Sequence, residues 1–92
     1  MQATAELQVI PLGSGTSVRE EITRVVALLE ERGFRVEPHA SGTNIEGDLA
    51  EILAAVERVH TMLHASGTVR LVSYLKLETR TDKTPTLAGK RL

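Results

Sequence analysis

The sequence predicts an α+β fold with the element order β-α-β-β-α-β: one sheet of four antiparallel strands with two helices on one of its faces. Three observations predict it. Apolar residues recur at helical spacing in two stretches, Val18 to Leu29 and Leu49 to Leu63; short runs of period-two alternation flank each stretch; and glycine and proline punctuate the joins. The chain has 92 residues, which predicts one domain, residues 1–92, with an irregular tail from about Thr79.

The elements follow in order. In Ala5 to Leu12, Leu7 and Val9 face one way and Glu6 and Gln8 the other, as in a half-buried strand, and Pro11 ends the ladder because it has no N–H to give. Gly13-Ser14-Gly15-Thr16 is a turn. Ser17 and Glu20 have the spacing of a capping box, so a helix is expected from Ser17, with Val18, Ile22, Val25, Val26 and Leu29 as its apolar stripe and Gly33 as its stop. Phe34 to Glu37 alternates until Pro38, and Thr43 to Glu46 reads as a short strand. Asp48 caps the second helix with Glu51 three residues on. Leu49, Ile52, Leu53, Val56, Val59 and Leu63 form the second stripe, and Gly67 ends it. Val69 to Leu77 is the longest strand, with Leu71, Ser73, Leu75 and Leu77 on one face and Val72, Tyr74 and Lys76 on the other. This is the ferredoxin-like arrangement. It leaves one sheet face bare, with Ile10, Val72 and Tyr74 on it, so self-association through the sheet is expected.

Composition excludes several classes of function. Eleven basic residues against twelve acidic ones give a formal charge of −1, unlike a binder of phosphate backbones. One Phe, one Tyr and no Trp leave no stacking platform for single-stranded nucleic acid. The absence of cysteine removes disulfides, thiol catalysis and thiolate metal sites. No apolar run nears the ~20 residues of a membrane span. The expectation is a cytoplasmic protein with no nucleic-acid or membrane partner. A chain this short buries only ~60–65% of the surface its unfolded form exposes, so a subunit contact would add stability.

No catalytic motif stands out. Gly13-Ser14-Gly15 ahead of a helix has the look of an anion site, but a linker before a capped helix explains it equally and more simply. His60 and His64 stand on adjacent turns of one helix face and lack the third ligand a metal site needs, so no metal site is predicted. His60 borders the core stripe and reads better as a polar group lining a pocket. The segment Ser41 to Asp48 is the most informative. Asp48 suffices as the cap, which leaves Thr43 and Glu46 surplus to that duty; in an extended chain Asn44 and Glu46 share one face, Thr43 and Ile45 the other. A polar edge strand kept soluble by charge accounts for the same residues.

Several blocks together resemble the thiamine-binding-protein-like family, small ferredoxin-like proteins that bind thiamine or its hydroxymethylpyrimidine half. They are Val9-Ile10-Pro11-Leu12-Gly13, Gly42-Thr43-Asn44-Ile45-Glu46-Gly47-Asp48, His60, and Arg80-Thr81-Asp82-Lys83 with Leu87 and Lys90. The resemblance implies the fold already read from periodicity, assembly into homodimers or homotetramers, and binding of a small molecule without catalysis and without a further cofactor. Thiamine joins an aminopyrimidine to a cationic thiazolium, so a carboxylate suits it twice, as acceptor and as counter-charge. Glu46 is the candidate. Ser41, Thr43 and Asn44 are candidates for the ring edge, Gln8 and His60 for the rest of the polar lining, and Ile10 and Tyr74 for apolar walls. The alternatives are an ACT-like module that binds an amino acid and, less well supported, an enzyme pairing His60 with Glu46.

Overall fold

The computed structural model describes residues 1–13, 15 and 17–91. Its elements are β1 (Gln2–Leu12), α1 (Arg19–Glu31), β2 (Arg35–His39), β3 (Gly42–Asp48), α2 (Leu49–Ala65) and β4 (Arg70–Glu78), followed by a short 3-10 turn at Ala88–Lys90. All pairings are antiparallel, in the order β2-β3-β1-β4. The ferredoxin-like arrangement read from periodicity is therefore the fold.

Register divides the residues between the two faces. Ala3, Ala5, Leu7 and Val9 of β1 stand beside Ile45 and Thr43 of β3 and beside Leu77, Leu75 and Ser73 of β4. This face takes the helices, and its core is completed by Val25 and Leu29 from α1 and Ile52, Ala55, Val59 and Leu63 from α2. The opposite face carries Thr4, Glu6, Gln8 and Ile10 beside Glu46 and Asn44 on one side and Glu78, Lys76, Tyr74 and Val72 on the other.

Two helix details differ from the sequence expectation. α1 starts at Arg19, its N-cap is Val18, and among the described residues no side chain caps it, so Ser17 and Glu20 do not form the expected box. Glu20 instead pairs with Arg24 one turn on, at 2.8 Å, a contact that spacing alone favours equally. At α2 the cap is as expected: Asp48 accepts from the Glu51 amide at 3.3 Å. Its carboxyl is held below the usual carboxylate range, first by a hydrogen bond from the Met1 ammonium and then by that amide. Leu53 of the second stripe is 49% exposed, and Ala55 takes the buried position instead. Ser14 and Thr16 of the first turn, and with them the anion-loop reading, lie outside the described residues.

The segment after β4 is irregular up to the 3-10 turn, yet it packs. Pro85 and Leu87 are buried, and the segment runs back across the face opposite the helices. It covers the part of that face that holds Thr4, leaving Thr4 4% exposed. The part that holds Tyr74 stays bare, with Tyr74 63% exposed.

Candidate functional site

Unequal strand lengths create the first concavity. β1 has 11 residues and β3 has 7. Their ladder ends at Leu7 opposite Thr43, and from Gln8 to Leu12 β1 pairs with β4 alone. The edge of β1 left free faces a cleft of about 240 Å³. α1 supplies its apolar wall through Val18, Ile22 and Val25, and the β2–β3 turn closes it with His39, Ser41 and Thr43.

The direction of the β1 peptide groups follows from alternation. The Leu7 carbonyl oxygen points toward β3, 3.0 Å from where a Cβ on Gly42 would stand. In an antiparallel ladder both main-chain groups of a residue point the same way, and the direction alternates along the strand. The Val9 N–H and C=O therefore point to the same edge as Leu7, but no β3 residue stands opposite them. Pro11 falls on that edge too, where a missing N–H costs no ladder bond. Val9 itself is buried, so a donor and an acceptor of the main chain lie side by side in a sheltered cleft, and such groups need a partner.

The second concavity, about 500 Å³, lies on the face opposite the helices. Thr4, Glu6, Asn44 and Lys76 form its floor, and Leu87, Lys90 and Arg91 of the C-terminal segment roof it. Three contacts fix the roof. The Leu87 amide donates to Glu46 Oε1 at 2.7 Å, Lys90 pairs with Glu78, and Arg91 pairs with Glu37. The Lys90 ammonium holds the Glu78 carboxyl below the usual range. Arg80 and Asp82 of the Arg80-Thr81-Asp82-Lys83 block pair with each other at 2.7 Å; the hydrogen bond lowers the Asp82 carboxyl and raises the Arg80 guanidinium.

The eight candidate residues separate among these places. Gln8, Ile10, Ser41 and Thr43 line the cleft. Asn44 lines the second concavity. Glu46 shares that face with one oxygen taken by Leu87. Tyr74 stands beside Gln8 in register and points away from the helices. His60 is on the other side of the sheet, its Nε2 2.7 Å from Ser73 Oγ. Thr43 and His60 thus stand on the helix side, while Asn44, Glu46 and Tyr74 stand on the opposite side, so one chain does not gather all eight into one pocket. His64 turns to the Thr68 carbonyl at 2.7 Å, and among the described residues no cluster of three metal-ligating side chains occurs.

Sequence reading missed the Val9 peptide edge, because overhang depends on where β3 ends. It also missed His39, whose place in the turn beside the polar block was the available signal. His39 Nε2 lies 3.1 Å from both Asn44 Oδ1 and Glu6 Oε2, and Nδ1 accepts from the Ser41 amide at 3.2 Å. Among the described residues no helix is long and apolar enough to cross a membrane. Chemically, the cleft offers the Val9 donor and acceptor and the hydroxyl groups of Ser41 and Thr43 against an apolar wall.

Comparison with known proteins places the chain in a family. The UPF0045 protein sll0230 of Synechocystis is 41% identical over 90 residues, spanning 98% of this chain and 74% of that protein. The UPF0045 protein MJ1052 of Methanocaldococcus jannaschii is 37% identical over 89 residues, spanning 97% and 88%. A crystal structure of MJ1052 superposes with a TM-score of 0.90, over 97% of this chain and 91% of that one. A Thermotoga maritima protein provisionally described as serving thiamine biosynthesis or salvage shares the fold with a TM-score of 0.86 at 23% identity, over 98% and 95% of the two chains. The family described as thiamine-binding protein matches residues 5–91, and the chain belongs to that family.

Proposed function

We propose that this chain binds thiamine or its aminopyrimidine half, without transforming it, in the cleft at the overhang of β1. The observation that carries the reading is the free Val9 peptide edge beside the apolar wall of α1. An aminopyrimidine places an amine donor next to a ring-nitrogen acceptor. The Val9 carbonyl and N–H complement that edge, while Val18, Ile22 and Val25 meet the ring face. Gln8, Ile10, Ser41 and Thr43 complete the contacts; Glu46 stays with the C-terminal segment on the other face. Membership of a family described as thiamine-binding supports the ligand class. His60 and Ser73 have the spacing of a base and a hydroxyl nucleophile, but neither lines either concavity, so the reading includes no catalytic step. A second copy of the chain covers the bare part of the sheet around Tyr74 and Val72, giving a homodimer or homotetramer. The reading places the protein in the cytoplasm.

The test is titration calorimetry with thiamine and with hydroxymethylpyrimidine, paired with amide chemical shifts of labelled protein. Saturable heat with either, and shifts centred on Val9, Gln8 and Ser41, support the reading. Heat with neither ligand sinks it, and a response to free amino acids alone favours the ACT-like alternative.

A further inference from the structure

We propose that His39 is a positioning residue for the cleft: its Nδ1 holds the β2–β3 turn in the shape that forms the cleft wall, and protonation of that nitrogen releases the turn. The inference rests on the ligand reading above for its consequence, but its structural core is independent of it.

The turn needs such a hold. β2 ends at His39 and β3 starts at Gly42, so Ala40 and Ser41 make a two-residue hairpin loop. Loops of this length favour positive φ at one or both central residues, because that twist matches the strands. Here no described residue other than glycine has positive φ, so Ala40 and Ser41 form the less favoured kind of turn. The His39 side chain compensates. Its Nδ1 accepts from the Ser41 amide two residues on, the pattern by which Asn and Asp brace turns. Ser41 and His39 both line the cleft, so the brace sets the position of the cleft wall.

The same ring decides its own proton. Nε2 faces two acceptors, Asn44 Oδ1 from β3 and Glu6 Oε2 from β1, each at 3.1 Å. The neutral ring therefore carries its hydrogen on Nε2, which leaves Nδ1 free to accept. A second proton must go to Nδ1. It would then oppose the Ser41 N–H, donor against donor, while the cation gains an ion pair with Glu6. Protonation thus shifts the ring's stabilising contact from the cleft to the opposite face. The other charges nearby are Glu37 on β2, engaged by Arg91, and Lys76 on β4, opposite Glu6 in register. Among the described residues, α1 and its N-cap present only Val18, Ile22 and Val25 to the cleft.

The experiment uses labelled full-length protein, wild type, His39→Asn and His39→Ala, between about pH 8 and about pH 5, the span in which an imidazole changes charge. Ring-nitrogen shifts of His39 and hydrogen exchange of the Ser41 amide are read first on the free protein, then thiamine affinity at both ends of the span. The expected result is an unprotonated Nδ1 and a protected Ser41 amide at high pH, with protection lost as the ring takes up its second proton. His39→Asn, which braces the turn without titrating, keeps protection throughout. Thiamine affinity of the wild type falls toward acid by about fivefold more than that of His39→Asn, the loss of one ordinary hydrogen bond; the comparison removes the ligand's own titration. His39→Ala is weak at both ends. Ser41 protection that ignores the state of the ring, or an equal acid loss in wild type and His39→Asn, overturns the proposal. Absence of thiamine binding sinks the ligand reading alone, since the free-protein measurements still decide whether His39 braces the turn.

Discussion

The main-chain amide of Leu87 donates to the carboxylate of Glu46 at 2.7 Å, joining the C-terminal segment to β3 across 41 residues of sequence. Leu87 is 5% exposed, so the bond sits beside a seated apolar side chain rather than in water. Together they hold the segment over one end of the sheet face.

Glu46→Ala removes the acceptor and leaves the Leu87 amide without a partner. The expected loss of stability is about 1.5–3 kcal/mol, the range for a hydrogen bond to a charged group, and toward its low end because the bond is only partly buried. Glu46→Gln keeps an acceptor oxygen and loses less. Urea unfolding gives the energies, and hydrogen exchange across residues 85–91 shows whether the segment has lifted. An unchanged exchange pattern in Glu46→Ala would remove this contact from the account of how the segment is held.

Leu87→Ala trims a buried side chain. Such changes cost about 2–5 kcal/mol in a closed core, but here the segment can detach once its docking energy is lost. The expected cost is therefore at the low end, about 2 kcal/mol, with the rest of the sheet intact by circular dichroism. A larger loss, with the whole fold melting earlier, would make the segment part of the core rather than a cover.

Much of the fold is legible in the sequence because period-two alternation assigns faces and period-3.6 spacing assigns stripes. Leu7 with Val9, and Asn44 with Glu46, fall on the faces that alternation gives them. In residues 79–91 periodicity is silent about packing: Leu87 is buried and its amide reaches Glu46, but it has no periodic neighbours to announce a seat in the fold. The α1 start went astray because Ser17-x-x-Glu20 satisfies the capping pattern, while Glu20 has Arg24 as a competing partner. The cleft could not be read at all from composition. It arises from the difference in length between β1 and β3, and its polar edge is main chain, which no residue type marks.

Gly47 stands on the helix side of the sheet, opposite Ala3, and a Cβ there would lie 2.5 Å from Phe34 Cδ1. The glycine is needed for space, since its φ is not in the left-handed region. Gly47→Ala is expected to destabilise by about 1–3 kcal/mol through overpacking. Phe34→Leu in the same chain should return part of that loss, and the coupling is read from a double-mutant cycle of urea midpoints. Additive losses would mean that the ring moves aside without strain.

His60 and Ser73 share a 2.7 Å hydrogen bond between α2 and β4. Neither group lines a concavity, so the contact joins helix to sheet. His60→Ala leaves the Ser73 hydroxyl without its partner in a half-buried place, at an expected cost of about 1–2 kcal/mol. Ser73→Ala costs a similar amount, and the double variant costs less than the sum. Thiamine affinity should stay unchanged in each folded variant; a loss of binding without a loss of stability would bring His60 back into the ligand site.

The ion pairs of the C-terminal segment give its attachment a pH dependence of known sign. Lys90 holds the Glu78 carboxyl below the usual carboxylate range. A carboxyl whose folded value is depressed contributes stability above its unfolded value and loses it as pH falls through the folded one. The segment should therefore be held at neutral pH and loosen in acid, below about pH 4 where carboxylates take up protons. Arg91 with Glu37 is a further ion pair of the segment. Both pairs are open to solvent, so salt should weaken them too: at about 1 M the screening length is only ~3 Å. Hydrogen exchange of residues 85–91 at neutral and acid pH, each with and without salt, measures this directly. Glu78→Gln should loosen the segment at neutral pH and flatten its response to acid. A segment that stays protected in acid and in salt would be held by Leu87 and Pro85 alone, and the ion pairs would then be ornament on an apolar contact.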